Sequence, residues 1–528
     1  MRLRATLVLA AGCVLAGSVA ACSGSPGATG TSIATGIGPR VRARAIAAIP
    51  AEDTSLNTDR IPQSASCSST ADCTVVYPGS KPQIYAVSEI GGAWHGPVPI
   101  PGLTGGYDSG LAISCPGAGD CLVGSTREAG GPPVARFATS RQGSWSRAAT
   151  IPGVVALSGG GMSEVTALSC GGGGWCAVAG EYGKAGSRLY GGAGHPLTPF
   201  LATVHDGQWT SAGRVPGLAA LNRAGWTATI ATVSCGADGW CAAGGSYQDR
   251  SGSALEAFVV TGRDGRWGQV RRIASAVPGS AVPGTTFPGG TVPGSTVPGS
   301  AGVTEISCTT PGNCSAAGTA GARVAIGGIT RAFVVTKRNG QWGQPENIPG
   351  VSLGATLTAV VSTSLGCRAP GDCVLAGYYA ASQDCGGEYN FCYQANFSAV
   401  VPFVARQVAG AWQRAGQIPG LAVLSPGIAV VTSVACGSAG FCEAVGFTTG
   451  NTADAAVRAF VVMAPGGIWG RARRVPGLVA LRAAGSEMDF TSCAGRAGAR
   501  PGCVAIGSYG IARHPGAQWR RYLFATRG

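Results

Sequence analysis

The sequence predicts an all-β chain, an eight-bladed β-propeller of four-stranded antiparallel blades whose last blade is closed by an N-terminal strand. Three observations carry the prediction. Glycine accounts for 88 of 528 residues while only 12% are charged, a composition that suits many short strands joined by turns. Seven cysteine pairs share one spacing, with five residues between: Cys67/Cys73, Cys115/Cys121, Cys170/Cys176, Cys235/Cys241, Cys308/Cys314, Cys367/Cys373 and Cys436/Cys442. An eighth, Cys493/Cys503, has the same flanks around a longer loop, and each pair opens a unit of the same four segments, the signature of a stacked-repeat fold. The glycines keep no triplet period, which excludes a collagen-like chain.

The elements follow in chain order. Residues 1–21 read as a signal peptide: MRLR supplies the positive start, and the apolar run over 5–17 is too short to span a bilayer. VAAC, residues 19–22, resembles the bacterial lipobox, which implies a lipid on Cys22 and a chain anchored to the outer face of the cell membrane, plain secretion being the alternative. Residues 22–40, rich in Gly, Ser and Thr, form a flexible tether, and residues 41–528 a single propeller domain.

Within that domain each unit starts with a β-branched or small run ending at its first cysteine, as in VTEISC. The run after the second cysteine, as in CAVAGEY, is the next strand. The third strand turns through a hairpin dipeptide into a tryptophan, as in EAFVVTGRDGRW and RAFVVTKRNGQW, where Asp-Gly and Asn-Gly tolerate positive φ. A fourth run ends in IPG or VPG, which suits a type II turn. The eighth unit stops at its third strand, QWRRYLFATRG, while VRARAIAAIPA, residues 41–51, looks like a fourth strand without a unit; pairing the two removes an open edge. Residues 277–300 repeat a Val/Phe-Pro-Gly pentad and read as a low-complexity loop between the fourth and fifth units.

The cysteine pairs are expected to be disulfide staples between adjacent strands. A zinc knuckle needs four ligands, usually with about two to four residues between paired cysteines, and the chain has only four histidines. A redox centre would be C-x-x-C and would not recur in every unit. Each staple closes a short loop, worth about 2.4 kcal/mol in the chain-entropy view. A ninth pair, Cys385/Cys392, is expected in the long loop 380–397. No metal and no cofactor are expected.

The units have the form S-C-x5-C-x-A-x-G followed by a strand and G-x-W, and in this they resemble secreted β-propellers of Gram-positive bacteria. That resemblance implies an extracytoplasmic propeller but no common activity. A more distant similarity is to sialidase-type propellers with Asp-box hairpins, although here Asp or Asn stands directly before the glycine.

Net charge is +14, nearly all from arginine, since lysine occurs only at 81, 184 and 337. Such a charge favours acidic surfaces such as phospholipid headgroups or anionic wall polymers. No basic run interleaves with aromatics, which excludes a nucleic-acid groove. Length variation is confined to the face opposite the disulfide turns. There Tyr182, Tyr247, Tyr379 and Tyr509 recur at one position, six residues after the second cysteine, and with Tyr389, Arg188 and Arg250 they are the candidate ligand-binding residues. No nucleophile elbow, zinc helix or P-loop occurs, and no catalytic residue is assigned. The expectation is a non-catalytic, lipid-anchored, monomeric binding or scaffold module for an envelope protein or glycan. The alternative is a sialidase-like glycoside hydrolase.

Overall fold

A computed structural model describes residues 42–527 apart from 49–63, 80–82, 105–109, 128–130, 188–195, 224, 237, 251–254, 274–284, 288–289, 293–299, 325–326, 352–358, 381–399, 425–427, 438–440, 450–455, 495–501 and 512–519. All of these lie in one compact unit, 39–528. The chain is all-β apart from single helical turns. The unit of Cys170 shows the pattern: Ser163–Cys170, Trp175–Tyr182 and Thr198–His205 run antiparallel in sequence order. The expected fourth strand is split into Gln208–Trp209 and Gly213–Arg214, both pairing with the third. The units of Cys67, Cys115 and Cys235 form four- or five-stranded sheets of the same order. Those of Cys308, Cys367 and Cys436 are linked into one path by two parallel pairs, Thr330↔Ala359 and Val400↔Ile428.

The repeated letters correspond to repeated contacts. The hairpin dipeptides have positive φ at both positions, for example 50° and 76° at Asp264-Gly265, as a type I′ turn demands. The serine before the first cysteine joins neighbouring units: Ser66 Oγ accepts from the Cys115 N–H at 2.9 Å, and Ser114, Ser169, Ser234 and Ser307 do the same for Cys170, Cys235, Cys308 and Cys367. Gly366 and Ala435 take that place in the next two units and have no hydroxyl to offer. The Pro-Gly turn makes a second link. The Pro101, Pro152, Pro216, Pro349, Pro419 and Pro476 carbonyls accept from Ala148, Ala212, Val270, Ala415, Ala472 and Ala43, at 2.7 to 3.0 Å.

That last acceptor bears on the N-terminal strand. Arg44–Ala48 pairs antiparallel with Arg520–Arg527, the outer strand of the sheet of Gly485–Ala494 and Gly502–Ile511. Ala43 therefore makes the bond to a neighbouring proline that the outer strands of other units make.

The core is divided among clusters that each draw on two units. Val178 and Phe200 pack with Leu122 and Ala135 of the preceding sheet, and Val504, Ile506 and Leu523 of the last sheet pack with Val75, Tyr77 and Val87 of the first. The glycine of C-x-A-x-G pairs with a buried third-strand phenylalanine, as in Gly180↔Phe200, Gly318↔Phe333 and Gly507↔Phe524. A Cβ at Gly318 would lie 2.6 Å from Phe333 Cζ and would also strike the Gly302 carbonyl. The Gly318→Ala variant is therefore expected to lose about 3 kcal/mol, measured by chemical denaturation; unchanged stability would contradict the packing argument.

Eight of the expected disulfides are formed: Cys67–Cys73, Cys115–Cys121, Cys170–Cys176, Cys235–Cys241, Cys308–Cys314, Cys367–Cys373, Cys436–Cys442 and Cys493–Cys503. Each spans the hairpin between the first two strands of its unit, so the staple reading holds. Local loop closure is only part of what these residues do. The second cysteine of every pair is buried: Cys73, Cys121, Cys176, Cys241, Cys314, Cys373, Cys442 and Cys503. The reason is the covered second strand on which it stands. Cys121 packs in one cluster with Val76 and Ile84 of the preceding unit, Cys176 with Leu122, and Cys241 with Ala177 and Leu201. Cys314 lies in a cluster with Ala242 and Val259, and Cys373 in one with Ala317 and Val334. The disulfides are thus core as well as staples. They indicate an oxidising, extracytoplasmic or secreted location.

Cys385–Cys392, Cys22, the leader and the tether lie outside the described residues. Within 277–300, expected as a plain loop, Thr285–Phe287 and Gly290–Val292 pair antiparallel. Among the described residues no helix is long and apolar enough to cross a membrane.

Candidate active site

The four recurrent tyrosines are not presented to solvent as a row of phenols. Tyr182, Tyr247 and Tyr509 are buried and Tyr379 is half-buried. Tyr247, Tyr379 and Tyr509 pack against the phenylalanine of their own third strand, with ring centres 6.2, 5.1 and 6.1 Å from Phe258, Phe403 and Phe524. The physical reason is their place on the second strand, which neighbouring units cover. Desolvation pushes the phenols of Tyr247, Tyr379 and Tyr509 up, so they stay neutral. Arg250 is exposed in the turn after Trp240–Gln248, while Arg188 and Tyr389 lie outside the described residues.

The position one residue before each tyrosine is more informative. It stands opposite the residue six before the first cysteine, and there the units diverge although cysteine, glycine, phenylalanine and proline repeat. The pairs are Glu164↔Glu181, Thr229↔Ser246, Gly302↔Thr319, Val361↔Tyr378, Val430↔Phe447 and Glu487↔Ser508. A register that the fold leaves chemically unconstrained is where function finds room.

In the unit of Cys170 that register sets two carboxyl groups directly opposite each other. Glu181 is buried, Glu164 only half-buried. Desolvation first, and then the charge of Glu164, hold the Glu181 carboxyl well above the ordinary carboxylate range, against a hydrogen bond from the Ile230 N–H of the next unit. Glu181 is thus a buried acid, biased toward its protonated form, with a carboxyl neighbour. Beside Ile230, the hydroxyls of Thr229 and Ser246 lie 3.0 Å apart. Just ahead of that strand stands Trp226, 44% exposed. Its loop is pinned by Asn222, which donates to the Trp226 carbonyl and accepts from the Gln248 N–H. The Arg223 guanidinium stands 5.1 Å from the Trp226 ring centre. Neither Glu164 nor Trp226 was singled out from sequence. Signals were available: Trp226 belongs to no hairpin and no disulfide turn, and Glu181 is the one acid among the residues five after the second cysteine.

No family model matches the chain, and no curated protein does. Solved structures similar to it include the Hadza microbial sialidase Hz136, with 11% identity over 74% of this chain and 73% of that one and a TM-score of 0.32. The α-L-arabinofuranosidase Arb93A from Fusarium graminearum is 11% identical over 68% and 92%, with a TM-score of 0.34. The polysaccharide lyase Uly1 is 12% identical over 82% and 93%, with a TM-score of 0.43. The likeness is one of fold.

The expectation of a non-catalytic binding and scaffold module, and of no enzyme, is corrected at this point. The ground for the expectation, that nothing brings acids together, fails on Glu164 and Glu181, which cross-strand register sets opposite each other.

Proposed function

We propose that the chain is an extracytoplasmic glycoside hydrolase built on an eight-bladed propeller, in which Glu181 is the proton donor and Glu164 the carboxylate that meets the anomeric carbon. The observation that carries this reading is the cross-strand pair itself, one member buried and pushed by desolvation toward its protonated form. Glycosidic bond cleavage uses such a pair, a protonated acid for the leaving oxygen and an ionised partner. Directly opposed residues on antiparallel strands hold their Cβ atoms about 4.5 to 5.5 Å apart, near enough for the two carboxyl groups to flank one glycosidic bond. In the first step the Glu164 carboxylate bonds to the anomeric carbon as the glycosidic C–O bond breaks, and the Glu181 proton passes to the leaving oxygen, which departs as an alcohol. In the second, water adds to that carbon, releasing Glu164 and returning a proton to Glu181.

The count of eight rests on the eight cysteine-bearing units. Closure of the ring by the N-terminal strand is supported by the pairing with Arg520–Arg527 and by the cluster shared between last and first sheets. A lipid on Cys22 would hold the enzyme at the outer face of the membrane.

The test is turnover of a panel of polysaccharides and aryl glycosides, with product configuration followed by NMR. Retention is expected. Glu181→Gln is expected to lower kcat on unactivated glycans by about 10²- to 10⁴-fold, and far less on nitrophenyl glycosides, whose leaving group needs no proton. Glu164→Gln should be slow on both. Activity indifferent to both substitutions, or none on any substrate, would overturn the proposal.

A further inference from the structure

The seam between the N-terminal strand and the preceding unit carries a patch that the glycan site does not use. Arg42 and Arg44 lie on or beside the strand Arg44–Ala48, and Arg473–Arg474 is the edge strand of the neighbouring unit. The two edges meet where the Ala43 N–H donates to the Pro476 carbonyl at 2.7 Å. Arg482 follows at a positive φ of 55°, and all five arginines are exposed. The ion pairs among the described residues involve none of them.

Charge on edge strands has an ordinary explanation, the prevention of edge-to-edge pairing. It does not account for what stands between the arginines. Val479, between Arg474 and Arg482, is 92% exposed. Val423, 84% exposed, lies in the turn Leu421–Leu424, and Arg474 donates to the Leu424 carbonyl at 3.1 Å. Two bare valines set among five guanidinium groups outside any ion pair are a combination of cationic and apolar surface. Cations alone fit any polyanion. The added apolar side chains fit the boundary between headgroups and acyl chains.

We infer that this seam, formed by Arg42, Arg44, Arg473, Arg474 and Arg482 around Val479, is a docking surface for an anionic lipid bilayer. The arginines supply salt-sensitive attraction to phosphate headgroups, and Val479 and Val423 enter the interfacial layer. The docking is independent of any acyl chain on Cys22.

The experiment uses the full chain carrying Cys22→Ser, so that no lipid is attached, and vesicles of about 30% phosphatidylglycerol in phosphatidylcholine against pure phosphatidylcholine. Binding by co-sedimentation is expected on the anionic vesicles only, and to weaken as salt is raised. The paired substitution Arg473→Gln with Arg474→Gln should lower partitioning about 25-fold, at roughly fivefold per arginine. Val479→Ser should lower it further without changing the salt dependence. All these positions are exposed, and unchanged melting of each variant checks that the fold persists. Equal binding to both vesicle types, no loss in the arginine variant, or capture by soluble dextran sulfate with no vesicle binding would overturn the inference.

Discussion

Deleting residues 41–51 is expected to cost at least about 4 kcal/mol and to leave the protein prone to self-association. The strand Arg44–Ala48 makes four register pairs with Arg520–Arg527, and Ala43 adds the bond to Pro476. At about 1 kcal/mol net for each backbone hydrogen bond, the ladder alone accounts for that figure. The loss does not stay local. Ile46 and Ala47 pack on the cluster that joins the last sheet to the first, and Ala43 belongs to the cluster that joins the last sheet to the unit before it. Removal also uncovers the backbone edge of RRYLFATR, a strand rich in residues that pair readily with another chain. Thermal unfolding followed by circular dichroism, with size-exclusion chromatography, measures both effects. A synthetic peptide of residues 41–51 added in trans should restore part of the melting temperature by adding the strand back. An unchanged melting temperature would rule out a structural role for this segment.

The second large effect is a dependence of stability on pH that centres on Glu443. This side chain is fully buried, accepts a hydrogen bond from Thr491 Oγ1 at 2.7 Å, and has no partner for its other oxygen. Desolvation pushes its carboxyl up from the ordinary 4.5 to about 7, against the Thr491 bond. A carboxyl raised in the folded state binds its proton more tightly folded than unfolded. Its contribution to stability is therefore complete below pH 4.5 and is lost as pH rises from 4.5 through about 7. The shift corresponds to about 3 kcal/mol. Glu305, pushed up to about 8 by burial, acts in the same direction. Glu443→Gln keeps an acceptor for Thr491 and never ionises, so at about pH 8 it should be more stable than the parent by about 3 kcal/mol, with a flatter profile between pH 4.5 and 7. Denaturant titrations across that range decide the matter; a variant with the parent's slope would show that Glu443 is not the source.

Legibility from sequence followed the distance over which each residue acts. Asp264-Gly265 and Asn339-Gly340 announced their hairpins because the positive φ they adopt is a property of two adjacent residues. The cysteine pairs were equally plain as staples, since a short hairpin brings its own ends together. Their second role was not: Cys241 meets Leu201, and Cys373 meets Val334, only because one unit stacks on the next. Residue identities also pointed to the serine before the first cysteine and to the proline of IPG, but not to their use. Ser66 bonds to Cys115 and Pro101 to Ala148, each in the next unit, and such partners are set by how sheets stack.

The tyrosines show the limit most clearly. Tyr182, Tyr247 and Tyr509 stand at or near the ends of their strands, as the repeat requires, and a phenol there suits a ligand or a core equally well in one dimension; the neighbouring sheet made it core. Glu164 and Glu181 show the converse. Each alone is an ordinary acidic residue, and their meaning comes from a bulge between Val165 and Ala167 that sets the pairing, together with the burial of Glu181 in the folded chain.

By itself, then, the amino-acid sequence determined the all-β class, the repeat, the disulfide turns and the partnership of the two terminal strands, because these follow from local conformational preference and from matching patterns along the chain. The tertiary structure alone decided which polar groups are dehydrated, which stand opposite one another and which apolar side chains stay bare at the seam. Those outcomes depend on solvent exclusion by residues distant in sequence, a quantity that no short stretch of the chain contains.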